Sequence, residues 1–158
     1  LNLCDESAVA AAWRDATAAV RAAMPSATLD GCLIQEMAKG QAELIVGARR
    51  DPQFGPVVLV GFGGILVEVL EDVRIALAPV SAEEALAMLK RLRLWPVLAG
   101  TRGRAALDVE RVADIIVRVS HLAADLGPRL VDLEINPLFV REAGKGAIAV
   151  DARGLIAD

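Results

Sequence analysis

Near the C-terminal end of this sequence Asp132, Glu134 and Asn136 alternate with Leu133 and Ile135, and one further carboxylate, Asp151, follows the apolar run at 147–150. Successive side chains of a strand point to opposite faces, so this spacing gathers the three polar groups on one face and turns Leu133 and Ile135 to the core. With 143–146 as a hairpin turn and Glu142 opposite Ala147, Leu138 faces Asp151 and Asn136 becomes its diagonal neighbour, about 7 to 8 Å away on the same face. A slip of one residue would carry Asp151 to the other face. Carboxylate and amide oxygens without imidazole or thiolate suit a hard cation such as Mg²⁺, which keeps waters and takes further ligands from substrate phosphates, so the pattern points to a nucleotide. On spacing alone the same residues also describe an exposed polar sheet face on which Asp151 only ends a strand.

Other groups carry weaker signals. The run Gly61-Phe62-Gly63-Gly64 fits either backbone amides approaching a phosphate or a tight strand connection. It lacks both the GK[ST] ending and the GxGxxG spacing of the familiar phosphate loops, which favours the connection. Arg49, Arg50, Arg102 and Arg104 fall in turn-like segments, where a guanidinium either grips phosphate oxygens or is simply solvated. His121, beside the apolar stripe of a helix, reads as a partly buried structural group without a catalytic role. Cys4 and Cys32 read as packing residues, and Trp13 and Trp95 as core or interface groups, because no acid or base adjoins them.

These side chains need a frame. Residues 5–24 repeat Val9, Trp13, Ala16, Val20 and Met24 at helical spacing behind Asp5 or Ser7 as cap, and Pro25 follows. Gly31 to Met37 turns β-like, Lys39-Gly40-Gln41 separates it from a second strand at Glu43 to Arg49, and 51–56 is turn-rich. Val57 to Val60 is a buried-strand run, and another strand covers Ile65 to Leu70 or the stretch after it. Ser81 and Glu84 have capping-box spacing ahead of Leu86, Met88, Leu89 and Leu92. Asp108 caps a third helix bearing Val112, Ile115, Ile116, Val119, Leu122 and Leu126, stopped by Gly127-Pro128. Strands follow at 130–136, 138–142 and 147–151. Mixed short strands and long helices without a dividing linker predict an α+β fold, residues 1–158 forming a single lobe.

Composition narrows the function. The 158 residues are 55% hydrophobic and 24% charged, which excludes disorder, and the net charge of −4 gives no overall attraction to nucleic acid or anionic lipid. The longest uncharged apolar stretch, Phe54 to Val67, is broken by a proline and four glycines and is too short to span a bilayer. One histidine and two distant cysteines cannot build an ordinary zinc site, and the absence of CxxC pairing or a secretory leader predicts a cytoplasmic protein. Opening on Leu1 rather than methionine favours a piece excised from a longer chain.

Taken together, LIQEM at 33–37, ELIVGARRDPQFGPVVLVGFGGILVEVLEDV at 43–73, LAP at 77–79, GTRG at 100–103, EINPL at 134–138 and AVDARG at 149–154 resemble one family over almost the whole chain. It is the ATP-grasp region of NDP-forming acyl-CoA synthetases, the ADP-forming acetyl-CoA synthetase group related to succinyl-CoA synthetase β chains. The resemblance implies an ATP-grasp lobe with a mixed, mainly antiparallel sheet packed on helices. It implies adenine contacts from Gln35, Glu36 and Met37, a ribose contact from Glu43, and Mg²⁺ ligands in Asn136 and Asp151 with Glu134 as a third. ATP or ADP and Mg²⁺ are the implied cofactors. The implied reaction converts carboxylate, CoA and ATP to acyl-CoA, ADP and phosphate through a phosphohistidine. The family's nucleotide-binding lysine and glycine-rich loop, its CoA-binding domains and its phosphohistidine are expected as partner segments outside these residues, so the fragment alone is expected to be inactive, and an oligomer fits. The alternative implied is a degenerate synthetase-like scaffold or regulatory region of a protein acetyltransferase.

Overall fold

The computed structural model describes residues 2–64, 72–101 and 103–157. It divides into two compact units, Leu1–Met37 and Ala38–Asp158. The first holds helix α1 (Glu6–Ala23), whose N-cap Asp5 accepts a hydrogen bond from the Ala8 amide at 2.8 Å and whose last turn carries Arg21. None of its residues is buried, and Cys4 and Cys32 are exposed rather than packed. The strand expected at Gly31 to Met37 is absent, since 27–40 form neither helix nor strand. An apolar run becomes a strand only when a neighbour takes its backbone hydrogen bonds, and among the described residues no strand pairs with this one.

Among the described residues the second unit forms a six-stranded sheet in which every pairing is antiparallel: β1 (Ala42–Asp51), β2 (Gly55–Phe62), β3 (Val73–Leu77), β4 (Leu130–Val140), β5 (Ala147–Ala149) and β6 (Ala152–Ile156). The order is β3-β2-β1-β4-β5, with β6 also on β4. Its helices among the described residues are α2 (Ala82–Lys90), α3 (Trp95–Ala99) and α4 (Val109–Leu126). The expected capping box is present: the Ser81 hydroxyl accepts from the Glu84 amide and the Glu84 carboxylate from the Ser81 amide. Asp108 caps α4 through the Arg111 amide.

One face of the sheet meets the helices. Leu44, Val46 and Ala48 of β1, Val58 and Val60 of β2, and Leu138 and Val140 of β4 are buried with Leu89 of α2 and Val112, Ile116 and Ala123 of α4. Each fully buried aliphatic side chain of this kind contributes about 1.5 to 3 kcal/mol. Leu133 and Ile135 pack against the same core, as their alternation predicts. On α4 the buried stripe takes in Ser120 and Ala123, while Leu122 is exposed, and His121 is exposed rather than partly buried. Trp95 packs on the core.

Register assigns the opposite face. Rows run Leu77–Val57–Arg49–Asp132–Leu155 and Ile75–Leu59–Gly47–Glu134–Arg153. The β3 end of that face is apolar and open, with Ile75 and Leu77 64% and 59% exposed, and the β4–β6 end is charged. Arg49 and Arg50 belong to β1 rather than to a turn, because the turn begins only where the Asp51 carboxylate accepts from the Gln53 and Phe54 amides. The strand expected at Ile65 to Leu70 and the arginine at 102 lie outside the described residues.

Candidate metal site

Asn136 and Asp151 come to face each other because both neighbouring strands lose regularity there. Against β1, Leu44 pairs with Leu138 and Val46 with Ile135, so Asn136 and Pro137 together oppose the single residue Ile45. Such a bulge kinks the strand and re-aims its side chains. Here it lets Leu133 and Ile135 before it, and Leu138 and Val140 after it, all reach the helix-covered core. On the other flank β5 and β6 keep a common register against β4, with Leu138 opposite Ala149 and Ile135 opposite Ala152, and the interruption between them falls at Val150 and Asp151. The Asn136 amide donates to the Asp151 carbonyl at 3.0 Å and the Val150 amide to the Pro137 carbonyl at 3.1 Å, so the gap is bridged by backbone.

The two residues are therefore direct rather than diagonal neighbours. Val140, not Glu142, lies opposite Ala147, a shift of two residues that keeps Asp151 on the expected face. The turn is tighter than 143–146: the Lys145 amide donates to the Glu142 carbonyl, and Gly144 takes φ +78°, as the third residue of a type II turn must. Residues 106–108 enforce this. The Asp108 amide donates to the Arg141 carbonyl, the Ala143 amide to the Ala106 carbonyl, and the Gly146 amide to the Asp108 carboxylate at 2.7 Å. Glu142 consequently bridges Leu107 and does not lengthen the β4–β5 ladder.

Glu134, Asn136, Asp151, Ala152 and Arg153 line a shallow cleft of about 230 Å³. The Asn136 side-chain amide donates from Nδ2 to Glu134 Oε1 at 2.9 Å. Arg153, directly across from Glu134, donates to Asp132 Oδ2 at 2.9 Å and approaches Glu134 Oε2 at 3.6 Å. The Asp151 carboxylate is exposed and has no side-chain partner among the described residues. Asp132 and Glu134 thus share one guanidinium while Asp151 has none, and an unpaired anionic oxygen beside an amide oxygen is the donor set a hard cation takes. No group of three or more His, Cys, Asp or Glu able to hold a metal occurs among the described residues. The set therefore fits an ion that completes its shell with water and phosphate, as Mg²⁺ does, and not one caged by protein. A cleft this small is below the range that buries a drug-sized ligand.

The other expected contacts lie elsewhere. Glu43 is an exposed residue of β1 opposite Phe139. Its carbonyl accepts from the Gly63 amide at 2.7 Å, and a Cβ on Gly64, at φ +73°, would come within 3.0 Å of its carboxylate. Gly63 and Gly64 thus pack closely on Glu43, Gly61 and Phe62 belong to β2 rather than to a loop, and the segment they lead into lies outside the described residues. Gln35, Glu36 and Met37 belong to the first unit, where all three are exposed in a segment without regular structure. Arg104 lines a separate groove of about 300 Å³ with Gln41, Leu107 and Glu142. Arg153 was not among the candidates, although its place opposite Glu134 follows once the two-residue turn is known.

An ATP-grasp domain model matches residues 1–156. The chain is 42% identical over 156 residues to the β subunit of acetate–CoA ligase [ADP-forming] I of Pyrococcus furiosus, covering 99% of this chain and 66% of that subunit. Among solved structures, a Pyrococcus horikoshii protein superposes with a TM-score of 0.89 at 33% identity, over 99% of this chain and 66% of the other. The dinucleotide-forming acetyl-coenzyme A synthetase 1 of Candidatus Korarchaeum cryptofilum, in complex with coenzyme A, Ca-AMPCP and HgCl⁺, superposes with a TM-score of 0.87 at 35% identity, over 99% and 67%. The chain spans about two thirds of the length of these relatives.

Proposed function

The chain belongs to the ATP-grasp domain family of the NDP-forming acyl-CoA synthetases, and from that premise we propose that it carries the Mg-nucleotide-binding part of such an enzyme. The reading is a single ATP-grasp lobe, the C-terminal portion of that domain, working in the cytoplasm. The whole enzyme converts a carboxylate, CoA and ATP to acyl-CoA, ADP and phosphate, with a phosphohistidine on another segment. The observation that carries the proposal is the convergence of Asn136 and Asp151 across a strand gap, with the Asp151 carboxylate left without a side-chain partner.

In this reading Asn136 and Asp151 hold Mg²⁺. Bound there, the ion neutralises polyphosphate charge, which is most of what catalysis of phosphoryl transfer requires. The chain's own residues position. The bulge at Asn136 and the interruption at Asp151 bring two side-chain oxygens to one cleft, and the backbone bond between the two residues holds them side by side. Glu43 and the exposed 35–37 segment contribute the ribose and adenine contacts, the latter partly through backbone atoms. In this reading carboxylate activation falls to other segments of the enzyme, and the fragment alone is expected to bind nucleotide without turnover.

Calorimetric titration of the 158-residue chain with MgATP and MgADP tests this. Binding is expected to require magnesium and to be lost in Asp151→Ala while melting is unchanged. Binding that persists undiminished in Asp151→Ala, or without magnesium, overturns the assignment. A folded chain that binds neither nucleotide supports the alternative of a scaffold region.

A further inference from the structure

We infer that Arg153 is a positioning residue of this site and that Glu134 orients Asn136 and does not itself ligate the ion; the inference rests on the metal reading above. An ionised carboxylate only accepts hydrogen bonds, so the Asn136 atom 2.9 Å from Glu134 Oε1 is the NH₂ group. An amide holds its oxygen and its nitrogen in one plane, on opposite sides of the Cβ–Cγ axis. Once Nδ2 is committed to Glu134, Oδ1 is turned away from it, the orientation a cation needs, whereas a flipped amide would present two N–H groups to a positive charge. Glu134 is free to act this way only if its own carboxylate is fixed.

Arg153 supplies that fixation. It is the direct cross-strand partner of Glu134, and its Nη2 donates to Asp132 and lies 3.6 Å from Glu134 Oε2, so one guanidinium charge stands between two carboxylates that would otherwise repel each other along the same face of β4. The resulting chain runs Asp132, Arg153, Glu134, Asn136, and its last member, which lines the cleft, keeps an oxygen that no hydrogen bond uses. Asp151 stands outside this chain, which leaves its carboxylate for the ion. Partners that orient metal ligands in this manner are typically worth 10- to 100-fold in metal affinity.

Mn²⁺ binding in the presence of ADP, followed by electron paramagnetic resonance of free and bound ion on the 158-residue chain, tests the inference without any turnover. Arg153→Gln and Glu134→Ala are each expected to weaken Mn²⁺ about tenfold or more. Glu134→Gln retains an oxygen that accepts from Asn136, so it is expected to recover most of the affinity, and Arg153→Lys part of it. If Glu134→Gln is as damaging as Glu134→Ala, Glu134 is a ligand and the inference falls. If Arg153→Gln binds like wild type, Arg153 positions nothing and the inference falls as well. Failure of the wild-type chain to bind Mn²⁺ in an Asp151-dependent way would instead overturn the metal reading itself, and melting curves identify any variant lost to misfolding.

Discussion

Asp108 carries two structural duties on one carboxylate, and removing it should separate stability from the metal site. Its Oδ1 accepts from the Arg111 amide at 3.2 Å, capping α4, and its Oδ2 accepts from the Gly146 amide at 2.7 Å, tying the β4–β5 turn to that helix. Loss of an N-cap costs about 1 kcal/mol, with a range of roughly 0.5 to 2. A hydrogen bond to a carboxylate is worth about 1.5 to 3 kcal/mol, toward the lower end here because the bond is only partly buried. Asp108→Ala should therefore cost about 2 to 4 kcal/mol, which for a chain of this size lowers the melting temperature by roughly 5 to 15 °C. Asp108→Asn keeps one accepting oxygen and should lose about half as much. Asp151 should not move, because β6 pairs with β4 from Ile135 to Leu130 independently of the turn. Thermal unfolding followed by circular dichroism, with hydrogen exchange at the Gly146 amide, measures both. A melting temperature within about 1 °C of wild type in Asp108→Ala, with Gly146 still protected, would refute the assignment of these two bonds.

Two further outcomes follow from groups away from the cleft. Ser120 is fully buried, donates to the Val117 carbonyl and accepts from the Val80 amide at 3.0 Å, so Ser120→Ala strands that amide and should cost about 1 to 3 kcal/mol in denaturant unfolding. An unchanged midpoint would show that the hydroxyl is dispensable. The Glu84 carboxyl is held below its ordinary pKa by the Ser81 backbone amide first and the Ser81 hydroxyl second. A depressed folded-state pKa stabilises above the unfolded carboxylate range and is lost as pH falls through the folded value. The melting-temperature gap between wild type and Glu84→Gln should therefore close on acidification from neutrality, and a gap constant down to about pH 3 would contradict the capping box.

What could be read from the sequence was what local chemistry decides. Both well-capped helices in the second unit follow from acceptors placed three residues before a free amide, at Ser81 and Asp108, and the polar face of β4 follows from strict alternation at 132–136. The errors lie where a distant segment decides. The β4–β5 register is off by two because 106–108 captures the backbone around Glu142, an event no hairpin rule contains. The bulge at Asn136 is set by β1, and the alternation rule carries no term for it. Strand β6 escaped because all five of its residues are exposed, which leaves no buried stripe to betray it. Helix α3 is a single short turn of five residues that opens with Trp95-Pro96, too brief for periodicity. Because the offset was even, Asp151 keeps the face that the alternation assigns to it.

Asp151 sits between two stretches, β5 and β6, that are each laid independently on β4. Changes of chain length are therefore not equivalent along this hairpin. Residues added or removed at its tip, 143–145, are absorbed in the loop, and both flanks keep their rungs. A single residue added between Asp151 and Arg153 has no such outlet: it either unseats β6 or rotates Asp151 out of the cleft, and the same holds between Glu134 and Leu138. Homologues should accordingly vary freely in length at the tip and hardly at all in these two short windows. The chemistry is protected by the spacing of the chain as much as by the identity of its side chains.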